Sequence, residues 1–139
     1  MADFARIAIA LLCLAPGSCS AEPELRIGAG MDVIHKAGMA MVSAALGPFS
    51  LYAWHHHNYG ASLAYRFGAR VGWNAAAGGI LVRRTDDDLG THLNLLLRGS
   101  YCGKALCLSY AHMSHASGLG IERGKANSGL NFVFIEYRR

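Results

Sequence analysis

The chain has 139 residues, 53% of them hydrophobic, and a formal net charge of +4. A chain of this length forms one domain at most. Its 13 Lys+Arg residues are dispersed rather than clustered, which argues against a nucleic-acid groove, so no nucleic-acid partner is expected.

Residues 1–21 have the features of an export signal. Arg6 precedes a short apolar run, a Pro-Gly pair ends that run, and small residues offer a cleavage position after Ala21. The run is much shorter than the ~20 residues that a helix needs to cross a bilayer. We therefore predict a signal peptide over 1–21 and a mature domain over 22–139.

The mature domain divides into eight short runs that turn-forming residues separate. Gly47-Pro48, Asn74 and Gly103-Lys104 mark three of the turns, and a long Gly-rich segment covers 116–129. None of the runs has a convincing helical period. The predicted strands lie near 25–34, 37–46, 49–57, 61–73, 76–84, 91–99, 104–114 and 129–138.

Alternate residues of a strand share a face, and here one face is apolar while the other carries Gly and Arg. In the first run, Leu25 and Ile27 alternate with Arg26 and Gly28, whereas the second, third and fifth runs are ambiguous. A soluble barrel or sandwich would put the apolar face inside. A membrane barrel would put it outside, and its narrow interior would hold small residues and a compact polar network, drawn from Arg26, Arg66, Arg70, Arg98, Asp32 and Glu136.

Several features favour the membrane barrel. Eight is an even number, strands of about ten residues fit a bilayer, and closure leaves no unpaired edge in lipid. Large aromatic residues also recur where strands end on one side, as in an interfacial girdle: Phe49, Trp73, Tyr101 and Tyr137. We predict an all-β fold, an eight-stranded antiparallel outer-membrane β-barrel. If both termini lie in the periplasm, the longer connections face outward.

Three polar residues fall on the apolar faces of the last two strands, all at the outer end. His112 and Ser114 continue that face of the seventh strand, and Asn131 begins that of the eighth. A His beside a Ser hydroxyl is the minimum for nucleophilic ester cleavage, in which His takes the proton and Ser attacks the carbonyl. A third group must hold the imidazole in the right tautomer, a role open to the Asn131 amide oxygen. A surface His and Ser at a loop edge is the alternative interpretation.

The segments HMSHASGLG and NSGLNFVFIEYRR resemble the C-terminal signature of the PagL-type lipid A 3-O-deacylase family. The resemblance implies an outer-membrane barrel that removes an ester-linked acyl chain from lipid A of lipopolysaccharide, without a cofactor. It implies that His112 is the catalytic His and Ser114 the nucleophile. Two positions depart from the family pattern: His115 stands where the family has an Asn linked to the oxyanion site, and Asn131 stands where it has the orienting Glu.

These departures leave two roles open. Backbone N–H groups from His115 to Gly118 are the candidates for the oxyanion site. Glu122, in the intervening loop, is an alternative to Asn131 as the group that orients His112. The implied partners are lipid A and outer-membrane lipid, and the sequence leaves open both a homodimer and the identity of the released acyl chain.

Other clusters are interpreted structurally. Cys102 and Cys107 flank a predicted turn. In an exported chain they can form a disulfide across that turn or remain as two free thiols, and the sequence does not decide between these alternatives. His55-His56-His57 is interpreted as a solvated loop rather than as a metal site, since adjacent residues of a strand point in opposite directions. Asp86-Asp87-Asp88 is interpreted as a solvated turn rather than as a site for a divalent cation. No metal is predicted.

Two other functions fit the same pattern. A non-catalytic outer-membrane barrel, with a structural or adhesion role, would not depend on Ser114. A soluble barrel that binds a small apolar ligand would be extracted without detergent. Dependence on Ser114 and on detergent therefore separates the three hypotheses.

Overall fold

The computed structural model describes residues 24–56, 59–85, 89–115 and 129–139. The predicted export signal lies outside the described residues. Within them, each strand pairs antiparallel with the next and the last closes onto the first, which confirms the predicted eight-stranded antiparallel barrel. The strands are β1 (Glu24–Asp32), β2 (Gly38–Leu46), β3 (Phe49–His55), β4 (Tyr59–Gly68), β5 (Gly72–Val82), β6 (Leu93–Cys102), β7 (Leu106–His115) and β8 (Leu130–Arg138). No helix in the described ranges is long and apolar enough to cross a membrane.

The turn between β4 and β5 lies earlier than the sequence predicted. The chain reverses over 69–71, between Gly68 and Gly72, whose φ angles are +93° and +94°. Glycine adopts such angles without the steric penalty of a Cβ, so the reversal is made here and not at Asn74. Asn74 instead belongs to β5 and points inward, where its amide nitrogen donates to Cys102 Sγ at 3.4 Å.

The apolar face of the strands points outward. Ile27 is 65% exposed, whereas its neighbour Arg26 is 4% exposed, and the same alternation follows most of the strands. Arg66, Arg98, Asp32 and Glu136 also have mainly buried side chains. The prediction that Arg70 belongs to the interior is wrong. Arg70 lies in the 69–71 turn, and its side chain is 67% exposed and forms a salt bridge with Glu24 at 2.8 Å.

The interior is divided along the barrel axis. Towards the ends of β1 and β8 that carry Glu24 and Glu136, it is charged, and Glu136 accepts from Arg98 and, at 2.8 Å, from the Ser109 hydroxyl. Towards the opposite end it is largely apolar, which the ambiguous alternation of β2, β3 and β5 did not reveal. The buried apolar side chains there include Met39, Met41, Trp54, Ile80, Val82, Leu96, Met113, Leu130 and Phe132.

The two ends of the barrel differ in the length of their connections. Residues 47–48, 69–71 and 103–105 make short turns at the end that we call the short-turn end. The other end, where β1, β3, β5 and β7 end, we call the long-loop end, because three of the four intervals between strands that begin there are longer in sequence, 33–37, 83–92 and 116–129, while 56–58 has three residues. Cys102 and Cys107 form a disulfide at the short-turn end, which resolves the alternative that the sequence left open.

Exposed aromatic rings gather outside the barrel at the short-turn end. Trp73 and Tyr101 lie edge to face with ring centroids 5.2 Å apart, and Phe49 and Tyr65 do the same at 5.6 Å. Tyr137, at the end of β8, is exposed beside them. A wide apolar wall that ends in amphipathic rings is typical of a surface in contact with lipid or protein.

Candidate functional site

His112 and Asn131 are brought together at the long-loop end. They face each other directly across β7 and β8, and His112 Nδ1 lies 2.9 Å from Asn131 Oδ1. An amide oxygen only accepts hydrogen bonds, so this contact assigns the proton to Nδ1. The other ring nitrogen, Nε2, is then unprotonated in the neutral imidazole and is available as a base.

Ser114 lies two residues beyond His112 on the same outward face of β7. Both side chains are half-buried, and two residues of a strand advance about 7 Å. No hydrogen bond joins the two side chains, both of which belong to the described part of β7. In substrate-free enzymes such contacts are often long and tighten only when substrate binds, so the spacing is compatible with a nucleophile and its base.

Tyr110 is a third residue on this face, and the sequence reasoning missed its role. Its phenol O–H donates to Asn131 Oδ1 at 2.6 Å, so Asn131 accepts from both Tyr110 and His112. The signal that could have found it is the same alternation that grouped His112 with Ser114, because Tyr110 precedes His112 by two residues on one strand.

Gly129 brings the chain back against His112 just before β8. Its φ is +66°, a left-handed conformation that glycine adopts readily. A Cβ at this position would overlap the Met113 carbonyl oxygen and lie 3.3 Å from His112 Cε1. The positive φ and the closeness of the Met113 carbonyl therefore require a glycine at this position, which lies beside the imidazole.

The remaining predicted site residues lie elsewhere or outside the described ranges. His115 is the last residue of β7, opposite Asn94, and alternation directs its side chain to the other face from Ser114. Its backbone follows Ser114 directly and remains an oxyanion candidate. Gly118 and Glu122 belong to the segment 116–128, outside the described residues.

A shallow apolar groove of about 450 Å³ begins at His112 and crosses the outer wall of the barrel. Small residues on β5 and β6 form its floor, and larger side chains on β4, β6 and β7 flank it. Strands lie about 4.8 Å apart, so from β7 to β4 the groove spans about 14 Å. Its outward-facing lining residues are Phe67, Ala75, Ala77, Leu97, Gly99, Tyr110 and His112.

The two described histidines of the cluster lie in different surroundings, so the predicted solvated loop is wrong for His56. His55 points outward at the end of β3, whereas His56 is buried and lies against the Phe132 ring, with centroids 5.4 Å apart. His57 and residues 86–88 are outside the described residues. Among the residues described, no three His, Cys, Asp or Glu side chains gather as metal ligands would.

Comparison with known proteins gave no match: no protein-family model, curated protein or solved structure matches this chain.

Proposed function

We propose that the chain is an outer-membrane serine esterase that removes the ester-linked 3-O-acyl chain of lipid A, as the resemblance to the PagL-type family implies. One observation carries the proposal: the 2.9 Å contact between His112 Nδ1 and Asn131 Oδ1 on the outer face of the barrel, with Ser114 next on the same face. A buried polar cluster would serve packing, but an outward one at the end of an apolar wall meets the boundary between lipid chains and head groups.

In the proposed reaction Ser114 Oγ attacks the ester carbonyl while His112 Nε2 takes its proton. His112 then gives that proton to the departing sugar oxygen, which leaves an acyl ester on Ser114. Water, deprotonated by His112, hydrolyses this ester, releases the fatty acid and restores Ser114. Asn131 holds the imidazole throughout, and backbone N–H groups that follow Ser114 receive the oxyanion. These proton and acyl transfers need no cofactor.

The exterior of the barrel supports a location in the outer membrane. Side chains such as Ile27, Leu81, Leu97 and Ile135 are each more than half exposed, and together they surround the barrel with apolar surface. In a bilayer this surface faces hydrocarbon, and the aromatic rings at the short-turn end lie at one interface. With the short turns in the periplasm, His112 and Ser114 face the outer leaflet, where lipopolysaccharide resides.

The groove supports a substrate with an acyl chain. It starts at His112 and descends over Ala77, Ala75 and Gly99, so a chain whose ester carbonyl lies at Ser114 could lie along it. A Cβ at Gly99 would meet no atom within 4 Å, so the space above that residue is open. A groove on the outer wall of a membrane barrel lies among the lipid chains, so it favours a lipid substrate over a water-soluble ester.

The test is mass spectrometry of lipid A from Gram-negative cells that express the full chain. We expect a new species lacking one 3-O-acyl chain, absent from cells that express Ser114→Ala. Ser62→Ala is the matched control, since Ser62 is buried inside β4 and its hydroxyl makes no hydrogen bond within the described structure. Unchanged lipid A with a folded wild-type barrel, or deacylation that persists in Ser114→Ala, would refute the proposal and favour a non-catalytic barrel.

A further inference from the structure

The Asn131 amide depends on more than His112 for its orientation. Its Oδ1 receives two donors, the Tyr110 phenol at 2.6 Å and the His112 imidazole at 2.9 Å. An amide that turned over would present its NH₂ group to His112 and could not accept from Nδ1. Two donors that converge on one oxygen oppose that rotation more strongly than one donor alone.

The need for a second donor follows from the chemistry of an amide. A carboxylate offers two equivalent oxygens, so it can rotate and still accept from a histidine. Asn131 has only one oxygen and no charge, and its side chain lies half-buried on the outer face of β8. The orientation of this amide therefore has to be fixed by neighbouring groups, and the Tyr110 phenol is a neighbour that donates to it.

We propose that Tyr110 is a positioning residue, which fixes the Asn131 amide so that its oxygen holds His112 in the Nδ1-protonated form. This inference rests on the proposed esterase function. Tyr110 also lines the groove, so its ring contacts the acyl chain of the lipid while its hydroxyl acts on the catalytic side chains. Its two parts have separable effects, the hydroxyl on turnover and the ring on the apparent affinity for substrate.

The first test compares steady-state deacylation of lipopolysaccharide in detergent micelles. Tyr110→Phe keeps the ring and removes the donor, so kcat should fall about two- to tenfold, the range for one neutral hydrogen bond, with KM unchanged. Tyr110→Ala should lower kcat and also raise KM. Tyr137→Phe is the matched control: it is another exposed tyrosine, on β8 at the short-turn end, and should have no effect.

A double-mutant cycle separates positioning from a direct effect on substrate. If Tyr110 acts through Asn131, then Tyr110→Phe should cause no further loss when it is added to Asn131→Ala. An equal loss in both backgrounds would overturn the inference, and so would full kcat in Tyr110→Phe alone.

A spectroscopic test works without turnover. In ¹⁵N-labelled protein in micelles, the His112 ring should show a protonated Nδ1 in the wild type and a mixture of tautomers in Tyr110→Phe. An unchanged tautomer in that variant would overturn the positioning role even if the protein is an esterase. A changed tautomer in a barrel that cleaves no lipid A would support the positioning role while the proposed function fails.

Discussion

Replacement of Asn131 tests how much of the catalysis depends on the orientation of His112. Asn131→Ala removes the oxygen that accepts from Nδ1 at 2.9 Å and leaves the backbone pairing of β7 and β8 in place. A neutral hydrogen bond contributes about 0.5–1.5 kcal/mol net, and a tenfold change in rate corresponds to about 1.4 kcal/mol. We therefore expect kcat to fall about two- to tenfold, a loss much smaller than that caused by Ser114→Ala.

The opposite change should raise the rate. Asn131→Asp keeps the side-chain length and places a charged oxygen near His112, and Asn131→Glu introduces the residue usual in the family that the sequence resembles. A charge-assisted hydrogen bond is roughly twice as strong as a neutral one, and a carboxylate also stabilises the imidazolium that forms during attack. Tyr110 can still donate to either carboxylate, which lowers the cost of holding a charge near the lipid.

The assay is the initial rate of fatty-acid release from purified lipopolysaccharide in detergent micelles. Val133→Ala is the matched control, because Val133 is the next outward residue of β8 and should leave the rate unchanged. Full activity in Asn131→Ala together with inactivity in Glu122→Gln would refute the reasoning and assign the orienting role to the loop acid. Complete inactivity of folded Asn131→Ala would show that Asn131 does more than orient the imidazole.

Four further outcomes are expected. Ser114→Ala should abolish ester cleavage, and His112→Ala should be nearly as severe, with a double variant no worse than either single one in the same rate assay. Replacement of Cys102 and Cys107 by Ser should leave turnover intact, since the disulfide lies at the far end from His112, and should lower the free energy of unfolding by about 2 kcal/mol for so short a loop. Glu136→Gln leaves the buried Arg98 without its carboxylate and should cost about 3–5 kcal/mol in urea unfolding. The wild-type chain should migrate as a heat-modifiable barrel in detergent; a soluble monomer without detergent would contradict the membrane location.

The parts of the fold that the sequence predicted are those in which polarity alternates without ambiguity. In β1 and β8, residues such as Arg26 and Glu136 alternate with large apolar side chains, so the period of two identifies both faces. In β2 and β3 both faces carry large apolar side chains, and the pattern could not show that Met41 and Trp54 fill the interior. The β4–β5 turn was predicted at Asn74 because asparagine favours turns, but two glycines made an earlier reversal easier.

The candidate site was predicted as a set of residue types but not as a set of contacts. Alternation showed that His112 and Ser114 share a face, and the structure agrees. The contact with Asn131 depends on the register of β7 against β8, and the long connection between those strands leaves the register unspecified in sequence. The role of Tyr110 was not predicted for a different reason. A membrane barrel is expected to carry tyrosines on its outward apolar face, so the sequence pattern assigned no separate role to the Tyr110 hydroxyl.

The inward face of β7 contributes to the stability of the barrel, whereas its outward face carries the residues of the proposed active site. Ser109 and Met113 point inward, where they belong to the buried polar network and the apolar core, whereas Tyr110, His112 and Ser114 point outward. Substitutions on the outer face remove no interior contact, so a variant such as Ser114→Ala should retain the unfolding free energy of the wild type. A loss of turnover in that variant can then be attributed to the missing hydroxyl. Substitutions of Ser109 should have the opposite profile, with reduced stability and near-normal turnover in the molecules that remain folded.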